Sequence, residues 1–176
     1  MKRMITIILV LATLVTLPAC SHSVTQNILD DYSKALADGI PKDLSLTIYY
    51  IPFSVLTRAP LGAEDLIKLT DVEKIVIGFD ELLFQQDLLK KLNSSVIRPT
   101  EEECKVNARL YYFFELGNGD RLAEVTISQI GSAIVVNGIG VEYDSVFYDV
   151  VSSYLPTNEE WYESHWGQKT EDGSVS

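Results

Sequence analysis

The chain has 176 residues, of which 47% are hydrophobic and 22% charged, and its formal net charge is −11. That length and composition suit one globular domain and exclude disorder over most of the chain. The acidity excludes a nucleic-acid binder, because a phosphate backbone would repel it, and leaves solubility or the steering of a basic partner as the uses of the charge.

Lys2 and Arg3 precede an apolar run from Met4 to Leu17, and Pro18-Ala19-Cys20 follows. A basic start, a short apolar stretch and small residues after it form the pattern of an export signal. The apolar stretch is too short to span a bilayer comfortably, which takes about 20 residues. Leu17-Pro18-Ala19-Cys20 resembles the lipobox of bacterial lipoproteins. The resemblance covers residues 1–20. It implies that residues 1–19 are a removed signal peptide and that Cys20 is acylated, with more than one chain, as the first mature residue. More than one chain suits stable anchoring, since a single chain holds a protein only marginally. The expected location is then the outer side of the cell membrane, with the lipid bilayer as partner through acylated Cys20. The same residues also fit ordinary cleavage after Ser21, with Ala19 and Ser21 as the small residues.

Loss of Lys2 and Arg3 with the signal takes the net charge from −11 to −13. With Cys20 carrying lipid, Cys104 has no mate in the chain, so stability must come from the core and not from a disulfide.

In chain order, residues 20–27 read as the lipidated cysteine and its tether, residues 28–166 as a single domain and residues 167–176 as a disordered tail. Ile28, Tyr32, Ala35 and Leu36 mark a short amphipathic helix that Asp38-Gly39 and Pro41 terminate. Residues 44–56 read as a strand that Pro52 restricts to an edge or a bulge. Residues 63–69 form a helical turn or two, and residues 72–79 a second strand. Asp80 caps the next helix, whose buried stripe is Phe84, Leu88, Leu89 and Leu92. Thr100 and Glu103 have capping-box spacing, so the acid run between them starts a turn of helix and does not gather a cation.

Residues 107–155 hold the strongest signals. Asn118-Gly119 reads as a two-residue type I′ turn. Its register sets Leu110 opposite Ile127, Tyr112 opposite Val125 and Phe114 opposite Ala123, an apolar face. Arg109, Tyr111 and Phe113, opposite Ser128, Thr126 and Glu124, form the other face. A second Asn-Gly, Asn137-Gly138, ends a further short strand. Asp144 or Ser145 caps a helix carrying Phe147, Val150, Val151, Tyr154 and Leu155, and Pro156 ends it. The expected fold is α+β: a mainly antiparallel sheet of about five strands with helices packed largely on one face.

Catalytic residues are not indicated. The chain's histidines are His22, in the tether, and His165, and nothing in the spacing joins His165 to Cys104. No metal motif, phosphate-cradling glycine loop or cofactor signature is present, and Asp30-Asp31 and Asp80-Glu81 are accounted for as helix surface and cap. Aromatic surface remains. Tyr111 and Phe113 are a ligand-binding platform if their face is open, or core if the helix from Asp80 or the N-terminal helix covers it. Trp161, Tyr162, His165 and Trp166 follow a capping box of Thr157 and Glu160. They either dock on their own domain or, with Trp161 and Trp166 exposed, meet a peptide, glycan or membrane surface. The expected function is a membrane-anchored envelope lipoprotein serving as a non-catalytic binding or accessory module for a protein or glycan. An envelope enzyme using unidentified carboxylates and a purely structural lipoprotein are the alternatives.

Overall fold

The computed structural model describes residues 28–52, 55, 57–100, 106–128 and 133–156. The elements run α1 (Asp30–Leu36), β1 (Ser45–Tyr50), α2 (Ala63–Ile67), β2 (Glu73–Ile77), α3 (Phe79–Phe84), α4 (Gln86–Ser94), β3 (Ala108–Glu115), β4 (Arg121–Ser128), β5 (Ile134–Val136), β6 (Ile139–Val141) and α5 (Val146–Ser152). The strands form one sheet in the order β2-β1-β3-β4-β5-β6, antiparallel at every step. The fold is α+β, as expected, with six strands among the described residues where about five were foreseen.

The extra strand comes from Asn137-Gly138, which does not end the sheet but folds it back. Both residues are left-handed, with φ of +49° and +79°. That is the geometry a two-residue hairpin needs, and it puts Val136 opposite Ile139.

The β3–β4 hairpin has the expected pairs Leu110 with Ile127, Tyr112 with Val125 and Phe114 with Ala123, but a different turn, and at its far end a register shift pairs Ala108, not Arg109, with Ser128. Of Asn118 and Gly119, the glycine alone has positive φ, +89°. The Gly119 N–H donates to the Leu116 carbonyl at 2.8 Å and the Leu116 N–H to the Asp120 carbonyl at 3.0 Å, so the loop holds three residues. The Asn118 side chain shapes it by accepting from the Asp120 N–H at 3.0 Å. The pairing then shifts between Phe114 and Glu115, a bulge that absorbs the additional loop residue and restores the register.

One face of the sheet carries Leu46, Ile48, Leu110, Tyr112, Phe114, Val125, Ile127, Ile134 and Val136, all buried. Packed on it are Leu29 and Tyr32 at α1, Leu82 of α3, Leu89 and Leu92 of α4, and Phe147, Val150 and Val151 of α5. Each such side chain contributes about 1.5–3 kcal/mol by leaving water. Two fully buried phenols in this layer find partners there: Tyr112 donates to the Phe147 carbonyl at 2.7 Å and Tyr32 to the Leu89 carbonyl at 3.4 Å. The α5 helix starts where the Asp144 carboxylate accepts the Val146 N–H at 2.9 Å.

Two expectations need correction. β1 is an interior strand, between β2 and β3, and it stops at Tyr50, so Pro52 with its missing N–H lies beyond the ladder. The helix expected from Asp80 begins at Phe79 and breaks at Gln85, whose φ and ψ are −105° and +15°. The break resets the helical phase. Leu82 takes the core position, and Phe84, expected in the buried stripe, is 88% exposed.

Candidate functional site

Tyr111 and Phe113 lie on the opposite face of the sheet, and they are only 3% and 7% exposed. Neither helix foreseen as a cover does this. The five-residue helix α2 lies over them instead, placing Leu66 in a second apolar layer with Ile51 and Ala108. Tyr49 of β1 stacks beside both rings, with centroids 6.3 Å from Tyr111 and 6.5 Å from Phe113. Of the two readings of this face, the covered one holds, with α2 as the cover.

A polar network finishes this layer at its rim. The Tyr111 hydroxyl donates to Glu124 Oε2 at 3.0 Å and accepts from Arg121 Nη1 at 3.1 Å. The Arg121 guanidinium lies 4.2 Å above the Phe113 ring, a cation–π contact that closes the exposed end of the layer. Burial, reinforced by the hydrogen bond to the Glu124 carboxylate, pushes the Tyr111 phenol well above its ordinary range. Tyr111 is thus held as a neutral hydrogen-bond donor. Arg109, buried beside it, donates to the Val55 carbonyl at 2.7 Å, and burial lowers its pKa from the ordinary guanidinium value.

Cys20, Cys104, His22, Trp161, His165 and Trp166 lie outside the described residues. Among the described residues no three His, Cys, Asp or Glu side chains come together to hold a metal ion. A cleft of about 200 Å³ between the residue 96–98 segment and α5 contains Glu142 and Asp144. Glu142 faces Arg98 at 3.7 Å and Asp144 caps α5, so both acids have structural partners. A second depression, of about 380 Å³, is lined by Asp31, Lys34, Leu116, Asp120, Arg121 and Leu122. No helix among the described residues is long and apolar enough to cross a membrane.

The two edges of the sheet differ. At β6 the segment around Pro99 closes the ladder: Pro99 bridges Val141, the Thr100 N–H donates to the Gly140 carbonyl at 2.9 Å, and the Glu142 N–H donates to the Arg98 carbonyl at 2.8 Å. At β2 no described segment pairs with the outer edge. β2 is a solvent-facing strand in which Glu73 and Lys74 are exposed and Val76 is 58% exposed. A lysine usually blunts such an edge. Lys74, however, sits over the neighbouring Tyr49 ring at 5.4 Å, which draws its ammonium across the sheet face and off the edge. The pairing order of the strands, which no periodicity prints, is what reveals this surface. No family model, curated protein or solved structure matches the chain.

Proposed function

We propose that the chain is an envelope lipoprotein, anchored through acylated Cys20 on the outer side of the cell membrane. Its domain is a non-catalytic binding module that takes an extended segment of a protein partner on the open edge of β2. The observation that carries the binding role is the asymmetry of the sheet among the described residues, where β6 is closed by the Pro99 segment and the outer edge of β2 has no strand paired to it. An unpaired edge offers a row of main-chain donors and acceptors that another strand completes, with side-chain pockets adding selectivity. Main-chain pairing of this kind favours a polypeptide over a glycan.

The anchor is supported by Leu17-Pro18-Ala19-Cys20 and by where the domain starts. Ile28 packs against the core and Leu29 is buried in it, which leaves residues 21–27 between the lipid and the fold. Fully extended, that tether reaches about 25 Å, so the domain works close to the bilayer surface. The net charge of −13 after removal of the signal favours a partner with a basic surface.

A photo-crosslinking amino acid at position 76, and in a separate variant at position 139 on the closed edge, tests the reading in intact cells. A discrete adduct from position 76 alone supports it. Absence of any adduct, or the same adducts from both positions, counts against strand addition at β2.

A further inference from the structure

Phe84 is the described apolar side chain most at odds with its surroundings. It is 88% exposed, its neighbour Leu83 is 42% exposed, and both belong to a helix whose other apolar residue in that turn, Leu82, is fully buried. The break at Gln85 turns them outward, and Gln85 is itself held in place, because its Nε2 donates to Ser153 Oγ at 3.0 Å. Ser153 follows α5, three residues before the last described residue, Pro156. Ser153, near the end of the described structure, is thus tied to Gln85, next to Phe84 in sequence. The nearby Tyr154 hydroxyl is buried without a hydrogen-bond partner, and the Glu81 carboxylate of α3, after burial, raises its pKa. This too places the end of α5 against α3.

Twenty residues follow Pro156, and three of the first ten are Trp161, Tyr162 and Trp166. Trp161 is five residues beyond Pro156, a reach of about 17 Å when extended, and eight beyond Ser153, which is bonded to the residue following Phe84. Large aromatics gain most by leaving water against another apolar ring. We propose that Leu83 and Phe84 are the docking site for the chain's own C-terminal aromatic segment, Trp161 to Trp166, which folds back across the α3–α4 break. This clasp is independent of the lipid anchor and of strand pairing at β2.

Trp161 and Trp166 are the chain's two tryptophans, so intrinsic tryptophan fluorescence reports on this segment alone. The purified full-length protein, Phe84→Asp and Val96→Asp are compared under one buffer and detergent condition. Val96 is the control, an 81% exposed apolar residue beyond the opposite end of α4. The clasp gives wild-type emission to the blue of the urea-unfolded chain. It also gives a shift to the unfolded position with increased acrylamide quenching in Phe84→Asp, and no shift in Val96→Asp, while the far-ultraviolet circular dichroism of all three agrees. Wild-type emission already at the unfolded position overturns the proposal. So does emission that Phe84→Asp leaves unchanged, or that both substitutions move equally.

Discussion

The Gln85 side-chain amide donates to Ser153 Oγ at 3.0 Å, joining the break between α3 and α4 to the end of α5. The bond spans 68 positions of chain and lies at the surface, so its own worth is small. Its effect is geometrical: it holds the point at which one apparent helix becomes two.

That break separates residues a continuous helix would treat alike. Leu82→Ala removes a fully buried side chain and is expected to lower the unfolding free energy by about 2–5 kcal/mol. Phe84→Ala, at an 88% exposed position, is expected to cost less than about 1 kcal/mol. Urea unfolding of the two variants measures the difference. Similar losses at the two positions would mean a continuous helix with Phe84 in the core.

Tyr112 is buried and donates to the Phe147 carbonyl at 2.7 Å, tying β3 to α5. Tyr112→Phe keeps the ring and removes this bond, while the carbonyl keeps its place in the helix, so it is expected to cost about 0.5–1.5 kcal/mol. Hydrogen exchange should show the loss first in the α5 amides, and an unchanged α5 would refute the tie.

The buried phenols set the alkaline limit of stability. Burial raises Tyr32, Tyr111 and Tyr112 above the ordinary phenol value, with the Glu124 carboxylate adding to the effect at Tyr111. A phenol whose folded pKa is raised stays protonated in the native state while its unfolded counterpart ionises above about pH 10. The unfolded state then binds fewer protons, so stability is flat up to that pH and falls as pH rises further. Tyr111→Phe removes one of these groups and is expected to make the decline less steep. Thermal melts from pH 8 to 11 for both proteins give the comparison.

Asn137 has two roles at one position. Its backbone is left-handed, and its side chain accepts the Glu124 N–H at 2.8 Å while donating to the Ile28 carbonyl at 2.7 Å, pinning the start of the domain to the β5–β6 turn. Asn137→Gly keeps the turn and removes the pin, with an expected loss of about 1 kcal/mol. Asn137→Ala removes the pin as well but, unlike glycine, keeps a Cβ in the left-handed region without asparagine's local hydrogen bonds, and is expected to cost about 1–2 kcal/mol more than Asn137→Gly. Equal melting temperatures for the two variants would show that the turn carries no strain.

The legible parts of this fold are those where one pattern repeats a constraint. Leu110, Tyr112 and Phe114 alternate opposite Ala123, Val125 and Ile127, so any slip would bury Glu124, and the register was readable even though the turn type was not. Asn-Gly at 118–119 and at 137–138 look alike in sequence. The Asn118–Asp120 side-chain bonds decide for a three-residue loop at the first, and the short β5–β6 pairing decides for type I′ at the second. The break at Gln85 lacks proline or glycine, so periodicity ran through it and put Phe84 inside. For Tyr111 and Phe113 the mixed composition of their face admitted both an open and a covered reading. The cover is a helix too short for an amphipathic pattern to announce, and the partner of an edge strand is a property of topology and not of composition.

The anchor at Cys20 is the claim on which the location and working distance of the domain depend, and mass spectrometry of the mature N-terminus tests it most directly. The expected result is a chain that begins at Cys20, lacks residues 1–19 and carries more than one acyl chain, with Cys20→Ser yielding unprocessed or released protein. An unmodified N-terminus at His22, produced by cleavage after Ser21, would contradict it, as would membrane attachment that Cys20→Ser leaves unchanged.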